Sequence, residues 1–589
     1  MKRLSLFFLL ICCMACSKPL KQDRPPNVVL ILTDDQGWGD FSINGNPWLI
    51  TPHFDQLASE GALFEKFYVS PVCAPTRASL LTGRYHLRTG VSWVTKGLEN
   101  MRTEEFTLAE AMKEKGYVTG HFGKWHNGAH APMSPNAQGF DEFFGFMAGH
   151  WTNYFNPWLQ HNQDTVSTKG YITDVLTDKA LEFIQDNQDQ PFFCYIPFNA
   201  PHTPYQVPDE YYHKYDSIDF GYDEVHNRKI ATVYGMCDNI DMNLGRILNR
   251  LEDLNLSSNT IVIYLSDNGP QEYRFNGGFK GRKGQLFEGG VRVPCAIRYP
   301  GVVKADQRIP STAAHIDIFP TLAGWLGLRE EQELPVDGQD LSALLEGKNV
   351  ASPERNFFQH MAGWELKPYR GAIWSGDYKL VLHQHDSLLY NLKNDPREEV
   401  NLKEKETVLL NALAQEYGEW FSDVTQDGFE DLAIPVGIAG FPEVELPAHE
   451  SEIHGNLHFE MEKGWAHDWL VDFEMGDQIE WPIQVAKAGT YVLYLQYALE
   501  ESREGVQLSV STGSDQLKTS ISEAFLPLKI PSPDRVIRDQ EAFEQSWGVA
   551  KMGELQLQSK DHKLILEVGA GPAEGLEIKG IILKSKETI

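Results

Sequence analysis

The feature that most restricts the fold of this chain is an alternation of short β-rich apolar runs with amphipathic helical segments, from Asn27 to about residue 425. The predicted strands cover 27–32, 117–122, 192–198 and 260–265, and the predicted helices cover 107–115, 172–186 and 237–253. Thr107 and Glu110 have the spacing of a capping box, and Gly116 can close that helix. Such alternation predicts an α/β domain with a largely parallel central sheet.

The sequence changes character after this domain. A Gly/Pro-rich passage covers about residues 426–450, and strand patterns separated by turn residues dominate beyond it, at 490–498, 506–511, 563–568 and 577–584. A chain of 589 residues is also too long for a single core. We therefore predict an α/β domain over 27–430 and a separate β-sandwich over 445–589.

The first residues have the pattern of an export signal. A basic start at Met1-Lys2-Arg3 precedes an apolar run over 4–15, which is too short to span a bilayer. Cys16 follows Ala15, an arrangement that resembles the lipobox of bacterial lipoproteins. We predict a signal peptide over 1–15, lipidation of Cys16, a tether over 16–26, and an exported protein held at the cell-envelope membrane by its lipid. Cleavage near Ala15 without lipid is the alternative.

The net charge of the chain restricts the classes of molecule that it can bind. Acidic residues outnumber basic ones by 82 to 52, which gives a net charge of −30. A general nucleic-acid binder needs a basic face, so no nucleic-acid partner is expected. An anionic small substrate stays compatible with this charge, because a cleft can focus a local positive field in an acidic protein.

Two pairs of oxygen-bearing side chains follow two predicted strands. Asp34-Asp35 comes after 27–32, and Asp267-Asn268 comes after 260–265. Ligands of open α/β sheets bind beyond the carboxyl ends of the strands, where neighbouring strands would bring these four side chains together. Carboxylate and amide oxygens suit a hard cation such as Ca²⁺ or Mg²⁺. Either pair alone could instead be a turn or a helix cap.

A lone cysteine stands at a predicted helix start in the stretch VCAPTRASLLTGRY, residues 72–85. Pro75 fits the first turn and Gly83 fits the end of that helix. The helix N-terminus would attract an anion and lower the pKa of the Cys73 thiol, and Arg77 would add a planar donor fork. The alternative is a buried cysteine beside a structural arginine.

Basic side chains follow other strands at the same predicted edge of the sheet. Lys124 and His126 are two positions apart, so in an extended chain they point the same way while Trp125 turns into the packing. His202 follows the strand over 192–198, and Lys283 lies in the glycine-rich loop GGFKGRKGQLFEGG. With the acidic pairs and Cys73, these residues are suited to cleaving a sulfate or phosphate ester.

Four segments carry a family resemblance. The run Cys73-Ala-Pro-Thr-Arg77 with the following Thr-Gly-Arg resembles the C-x-P-x-R signature of the formylglycine-dependent sulfatases, and GKWH at 123–126 resembles their second signature. TDDQGWGD at 33–40 and SDNGP at 266–270 resemble their metal-binding segments. The resemblance extends from about Asn27 to residue 425. It implies an alkaline-phosphatase-like fold and a sulfuric ester hydrolase.

The resemblance also implies roles for individual residues. A maturation enzyme would convert Cys73 to Cα-formylglycine, whose hydrate attacks sulfur. His202 or Lys283 would protonate the leaving oxygen, and His126 would accept a proton from the second hydroxyl. Arg77 and Lys124 would hold the diol and the sulfate oxygens. The implied ion is calcium, with magnesium less favoured, and its ligands would be Asp34, Asp35, modified Cys73, Asp267 and Asn268.

Further residues are predicted to contribute to substrate recognition. His150, His360 and Arg370 are predicted to shape the substrate pocket. The C-terminal sandwich resembles galactose-binding-like or carbohydrate-binding jelly rolls, in which Trp465, Trp469 and Trp547 would stack on sugars or pack in the core.

We expect a sulfated carbohydrate as substrate, such as an algal polysaccharide of the ulvan type or its oligosaccharides. Glycosaminoglycan fragments and aryl sulfates are alternative substrates. A phosphatase or phosphodiesterase on the same fold is an alternative activity. A non-catalytic carbohydrate-binding lipoprotein is the alternative of another class.

Overall fold

The structure is a computed structural model. It describes residues 24–588, except 329–333, 349–354, 362, 384–385, 430–432, 500–504, 522, 539, 572 and 574. The predicted signal peptide and Cys16 lie outside the described residues. Within them, no helix combines the length and the apolar character that crossing a bilayer requires.

A ten-stranded sheet forms the centre of the first domain. Its strands are β1 (Asn27–Thr33), β2 (Ala62–Tyr68), β3 (Val118–Lys124), β4 (Glu142–Phe146), β5 (Trp158–His161), β6 (Asp164–Ser167), β7 (Phe192–Pro197), β8 (Thr260–Ser266), β9 (Arg292–Arg298) and β10 (Gln307–Ala314). They lie in the order β10-β2-β9-β8-β1-β7-β3-β4-β5-β6. The run from β8 to β4 is parallel, whereas β9 runs antiparallel to both of its neighbours. The predicted parallel sheet is confirmed.

Helices cover both faces of this sheet. The described helices are α1 (Pro52–Ser59), α2 (Cys73–Thr82), α3 (Leu108–Glu114), α4 (Ile172–Asp186), α5 (Asp209–Tyr212), α6 (Glu224–Asp253), α7 (Glu288–Val291), α8 (Ile318–Leu326), α9 (Ser342–Leu345) and α10 (Thr407–Val424). Successive β1 residues alternate between two cores: Val28 and Leu30 pack on one face, and Val29 and Ile31 on the other. Burial on both faces explains why β1 is apolar along its length.

A four-stranded antiparallel sheet extends the first domain. Its strands are β11 (Phe357–His360), β12 (Arg370–Ser375), β13 (Tyr378–His383) and β14 (Asp386–Asn391). Helix α10 covers this sheet with Tyr417 and Trp420 in a shared core. The sequence analysis did not predict these strands.

The C-terminal domain consists of two packed sheets. Its strands are β15 (Ile434–Val436), β16 (Glu443–Pro447), β17 (Glu452–His454), β18 (His458–Phe459), β19 (Leu470–Val471), β20 (Gln478–Val485), β21 (Gly489–Ala498), β22 (Gln507–Ser511), β23 (Gln516–Ser520), β24 (Gly548–Leu557), β25 (Lys563–Val568) and β26 (Glu577–Ser585). One sheet has the order β15-β20-β25-β22-β23, with β17 also on β20, and the other has the order β18-β19-β26-β21-β24, with β16 also on β26. Their inner faces share one core. The predicted β-sandwich is confirmed.

Two predicted boundaries differ from the structure. The sandwich takes its first strand from Ile434–Val436, within the Gly/Pro-rich passage ahead of the predicted domain, because β15 pairs with β20 and buries its apolar side chains in the sandwich core. Helix α6 begins at Glu224 rather than 237, since Asp223 caps it by accepting a hydrogen bond from the backbone N–H of His226. The predicted capping box of α3 is present.

Candidate active site

The two acidic pairs meet where β1 and β8 end. The strands pair in parallel with Thr33 opposite Ser266, so the residues that follow each strand lie side by side. The Asp267 amide donates to the carbonyl of Thr33 at 3.0 Å, and the Asp35 amide donates to Oδ1 of Asp267 at 3.2 Å. Asp35 takes a left-handed conformation, with φ of 67°. This turn brings Asp34, Asp35, Asp267 and Asn268 to one buried point.

Cys73 is the first residue of helix α2, which starts after an extended Val72 and ends at Gly83 with φ of 70°. The helix start was predicted correctly. The predicted low pKa of the thiol is wrong for this structure: burial raises the pKa of Cys73, and Lys124 and Lys283 do not offset it. A helix N-terminus alone does not ionise a thiol that is so deeply buried.

Arg77 and Lys124 contact the carboxylates. Arg77 donates through Nε and Nη2 to Oδ2 of Asp267, at 3.1 and 2.8 Å, and through Nη1 to the carbonyl of Lys124. Lys124 Nζ donates to Oδ2 of Asp34 at 2.6 Å. Both basic side chains are buried, and neither lines the pocket. In this structure they position the acidic cluster, and their contact with sulfate oxygens stays a prediction.

Lys283 reaches the same cluster from the other side. Its Nζ lies 2.8 Å from Oδ1 of Asp35. The loop is fixed locally, because the Lys283 amide donates to the carbonyl of Pro270 and the next amide, that of Gly284, donates to the carbonyl of Pro71. Gly284 has a φ of 75°, which suits glycine. Lys283 therefore faces both the carboxylates and the pocket.

His126 enters the pocket just beyond β3. Trp125 turns into the core as predicted. The chain leaves the extended conformation at His126, whose φ is 64°, so the route to the pocket is a left-handed turn. The Nε2 atom lies 2.8 Å from the carbonyl of Val94. A carbonyl can only accept, so Nε2 carries the proton, and the buried Nδ1 atom keeps a lone pair with no partner among the described residues.

His202 and His150 line the same pocket. The Nε2 atom of His202 lies 3.9 Å from Oδ2 of Asp35, and its Nδ1 atom lies 2.8 Å from the carbonyl of Thr203. The Nε2 atom of His150 is buried and has no partner among the described side chains and backbone. Burial, followed by His467, lowers the pKa of His150 well below its usual range.

The acidic cluster has the composition expected of a hard-cation site. One ligand atom each from Asp34, Cys73 and Asp267 lies within 4.8 Å of the others, and Asp34, Asp35 and His202 form a second such group. Oδ1 of Asp34 and Oδ1 of Asn268 are buried and accept no hydrogen bond from the described residues. Unpartnered buried oxygens are costly, so these two atoms fit a bound cation.

Charges within the cluster are strongly coupled. Burial opposes ionisation of Asp34, but Lys124, His202, Arg77 and Lys283 together hold its pKa well below its usual range. Burial and then Asp34 raise the pKa of Asp267 to about 7, against the opposing effect of Arg77. These four basic side chains thus stabilise the ionised Asp34, but the carboxyl of Asp267 is not fully compensated, as expected for a centre completed by a cation.

A cavity of about 510 Å³ lies above the cluster. Its lining includes Cys73, His126, His150, His202 and Lys283 from the first domain. A Cβ atom on Gly149 would lie 2.5 Å from Nε2 of His126, so this position needs glycine to admit the imidazole. The cavity gives an extended ligand access to residue 73.

Two predicted substrate residues lie elsewhere. His360 is fully buried, with Nδ1 at 2.7 Å from the hydroxyl of Tyr417 and its ring against Phe421. Arg370 begins β12 and does not line the cavity. The four-stranded sheet holds His360 against α10 and places Arg370 at the start of β12, so neither residue lines this cavity in the structure, and their role in substrate recognition stays a prediction.

The three tryptophans of the sandwich lie in two different environments, a small core and the cavity wall. Trp469 and Trp547 pack edge to face with ring centroids 5.3 Å apart, in a small core with Ala542, as the alternative interpretation required. Trp465 lines the cavity.

Sequence analysis missed Glu541. This residue also lines the cavity, and it accepts a hydrogen bond from the hydroxyl of Thr203. It lies in a loop of the sandwich, 338 positions from that hydroxyl, and no local motif marks it.

Comparisons with known proteins agree with this geometry. A family model described as Sulfatase matches residues 26–328, and one described as N-sulphoglucosamine sulphohydrolase, C-terminal, matches residues 278–419. N-acetylgalactosamine-6-sulfatase of Mus musculus is 34% identical over 401 residues, which are 61% of this chain and 72% of the mouse protein.

Solved structures show a similar fold. Ps i-CgsB, in complex with k-i-k-neocarrahexaose, has a TM-score of 0.63 and 29% identity, and the match covers 69% of this chain and 95% of that one. A Bacteroides thetaiotaomicron sulfatase described in connection with the metabolism of multiple glycosaminoglycans has a TM-score of 0.58 and 25% identity, over 68% of this chain and 100% of that one.

Proposed function

This chain belongs to the sulfatase family and is a sulfuric ester hydrolase; from this premise we propose that it desulfates a sulfated carbohydrate through a formylglycine formed at residue 73. The observation that carries the proposal is the convergence of Asp34 and Asp267 on Cys73, which lines the cavity. The nucleophile precursor stands beside the acidic cluster and within reach of an extended substrate.

Burial raises the pKa of the Cys73 thiol and so keeps it protonated, which makes it a poor nucleophile. Oxidation of Cys73 to an aldehyde supplies a nucleophile in its place. A maturation enzyme, which supplies the oxidant, oxidises the CH₂–SH group to an aldehyde and releases its sulfur as hydrogen sulfide, and water adds to give two hydroxyls on one carbon. One hydroxyl gives its proton to a carboxylate of the cluster, and its oxygen attacks sulfur while the bond from sulfur to the sugar oxygen breaks. The second hydroxyl then loses its proton, the carbon–oxygen bond to sulfate breaks, and the aldehyde returns. An aldehyde thus avoids a second attack at sulfur.

Named side chains move the protons. His126 accepts the proton of the second hydroxyl at Nδ1, because Nε2 already donates to Val94. His202 or Lys283 delivers a proton to the sugar oxygen as it leaves. Burial opposes the charge of Lys283, but Asp35 outweighs it and raises the pKa of the ammonium, so a proton is present there at neutral pH.

The remaining residues of the site would bind the cation or orient the carboxylates that hold it. A divalent cation, for which we propose calcium, would be held by Asp34, Asp35, Asp267, Asn268 and modified residue 73 and would draw electron density from the sulfate oxygens. Arg77 and Lys124 fix the orientation of Asp267 and Asp34.

An oligosaccharide is the proposed substrate. Support comes from the names of the relatives, one an N-acetylgalactosamine-6-sulfatase and another bound to a neocarrahexaose, and from the indole side chains of Trp93 and Trp465 in the cavity lining. The acidic composition and the appended sandwich favour a polysaccharide-derived chain of the ulvan type as one candidate. Glycosaminoglycan fragments are another.

Location at the cell envelope is also a proposal. It rests on the basic start, the apolar run over 4–15 and Cys16. Labelling of expressing cells with a fatty-acid probe should mark the wild type and not Cys16→Ala. A labelled Cys16→Ala protein would contradict lipidation at this residue.

The activity is tested by producing the protein together with a maturation enzyme. Sulfate release is then measured by ion chromatography on k-i-k-neocarrahexaose, ulvan oligosaccharides, N-acetylgalactosamine 6-sulfate and p-nitrophenyl sulfate, with p-nitrophenyl phosphate as the alternative ester. Mass spectrometry of the peptide that contains residue 73 should show conversion of the thiol to the aldehyde, and Cys73→Ala should release no sulfate. Faster release of phosphate than of sulfate, or full activity in Cys73→Ala, would overturn the proposal.

A further inference from the structure

The C-terminal sandwich contributes part of the active-site wall. One loop, between β18 and β19, places Trp465 and Ala466 on the cavity. A second loop, between β23 and β24, places Ile537, Arg538 and Glu541 there. These residues line the same cavity as His202, Lys283 and residue 73.

Hydrogen bonds fix the second loop on the first domain. Arg538 donates through Nη2 to the carbonyl of Thr152 at 2.9 Å, and its guanidinium also binds Asp534 within the loop. Gln206 of the first domain donates to Oδ1 of the same Asp534 at 2.7 Å. The Arg535 amide donates to the carbonyl of Tyr205 at 2.9 Å. A loop held by charged and backbone donors keeps its cavity side chains in place.

The first loop is fixed beside it. His467 lies two residues after Trp465, and its Nε2 atom is 3.1 Å from the carbonyl of His150. The ring of His467 also packs edge to face on Trp151, with centroids 4.7 Å apart. Trp465 is thereby tied to the segment that carries Gly149 and His150.

Trp465 takes part in an aromatic group that spans both domains. Its ring stacks on Trp364 with centroids 6.4 Å apart and an interplanar angle of 29°, and Trp364 in turn contacts Trp93 at 6.2 Å. Trp93 and Trp465 line the cavity, and Trp364 is 56% exposed beside it. Nε1 of Trp93 is buried and has no partner among the described residues. Flat apolar rings with a free donor suit the face and the hydroxyls of a sugar ring.

Glu541 supplies an unpartnered acceptor. One carboxylate oxygen accepts from the hydroxyl of Thr203 and lies 4.0 Å from Nδ1 of His202. The other, Oε2, is buried and accepts no hydrogen bond from the described part of the chain. A buried carboxylate oxygen without a donor is destabilising, so its position on a cavity wall points to a ligand that brings the donor.

We propose that the sandwich forms a substrate subsite of the active site, in which Trp465 and Trp93 contact a pyranose ring next to the sulfated sugar and Glu541 accepts a hydrogen bond from a hydroxyl of that ring. The inference rests on the proposed sulfatase function. On this proposal the sandwich is not an independent sugar-binding module, because it forms one pocket together with the first domain. It also restricts the neighbouring sugar, because the Glu541 carboxylate repels a sulfate group and accepts a hydroxyl.

The test compares two substrates that differ in length. Trp465→Ala and Glu541→Gln are assayed on p-nitrophenyl sulfate, which is too short to reach the subsite, and on the oligosaccharide of the panel above that the wild type desulfates fastest. We expect kcat/KM to fall at least about tenfold on the oligosaccharide and to stay within about twofold on the aryl sulfate. Matched controls are Trp158→Ala, an exposed tryptophan on β5, and Glu523→Gln, an exposed glutamate in the second loop outside the cavity lining.

Binding gives a readout that does not depend on turnover. Titration calorimetry of the panel oligosaccharides into Cys73→Ala should give weaker affinity when Trp465→Ala or Glu541→Gln is added. Equal effects on both substrates, or no effect on oligosaccharide turnover and binding, would overturn the subsite. A wild type that binds the oligosaccharide through Trp465 but releases no sulfate would overturn the proposed function and leave the subsite supported.

Discussion

Arg77 donates two hydrogen bonds to a single oxygen of Asp267, and neither side chain is exposed. The same guanidinium donates to the carbonyl of Lys124 and lies 3.6 Å from Asp34. One planar group, which does not itself line the cavity, therefore orients both strand-end carboxylates. A compact ammonium cannot reproduce this fork.

Arg77→Lys should keep the charge and lose the orientation of the carboxylates. We expect kcat to fall at least about tenfold and the free energy of unfolding to fall by about 1–3 kcal/mol, since the shorter ammonium leaves buried acceptors of Asp267 and of the Lys124 carbonyl without their donors. Sulfate release and urea denaturation measure the two effects. Arg84→Lys is the matched control, a buried arginine paired with Glu105 outside the cluster, and it should lose stability but not turnover. Wild-type turnover in Arg77→Lys would contradict the orienting role.

Much of this arrangement could be predicted because it depends on short motifs at strand ends. Asp34 and Asp267 lie 233 positions apart in the chain, but parallel pairing of two recognisable apolar strands is enough to bring them together. Glu541 and the altered environment of His360 could not be predicted in this way. The first depends on how the sandwich docks, and the second depends on a four-stranded sheet whose weaker strand patterns were not recognised.

Removal of Asn268, a proposed metal ligand, should uncouple the stability of the fold from the proposed divalent cation. Oδ1 of Asn268 has no partner among the described residues, while its Nδ2 donates to Asp35 at 2.7 Å. We expect a chelator to lower the Tm of the wild type, because the clustered carboxylates then repel each other, and to change the Tm of Asn268→Ala much less. Metal analysis should find one dication per chain in the wild type only.

Asn46→Ala is the control for this metal effect. Asn46 is a buried asparagine whose amide binds the carbonyl of Gly39, so its loss should lower the Tm and preserve the response to chelator. A wild type that holds no dication and does not respond to chelator would contradict the metal site.

His121 should make the fold sensitive to acid. The imidazole is fully buried among Trp125, Phe140, Phe143 and Tyr195, and neither ring nitrogen has a partner among the described residues. Burial and then Arg77 lower the pKa of His121 to about 3. As the pH falls from the ordinary pKa of the unfolded chain toward that value, the unfolded state binds a proton that the folded state excludes. Stability is therefore present above about pH 6.5 and falls below it.

His121→Phe tests this dependence. The variant should lose about 2 kcal/mol less than the wild type between pH 7 and pH 5, measured by urea denaturation at each pH. Part of the slope should stay, because burial also lowers the pKa of His86 and of His315. The exposed His454→Phe should leave the slope unchanged. An equal slope in His121→Phe and wild type would show that this imidazole is protonated in the folded state.

Gly149→Ala should impair turnover through His126 alone. The added methyl group would lie 2.5 Å from Nε2 and 2.8 Å from Cε1 of that ring, so the imidazole must move and its bond to the carbonyl of Val94 must lengthen. Because that bond keeps the proton on Nε2, its loss frees the ring to adopt the other tautomer and to lose the acceptor at Nδ1. We expect kcat to fall about tenfold or more while KM and Tm change little.

Gly418→Ala is the control, because this helix position has open space around it; the variant should leave turnover unchanged and raise stability by about 0.5–1 kcal/mol. Unchanged kcat in Gly149→Ala would mean that His126 tolerates displacement and is not the group that accepts the proton.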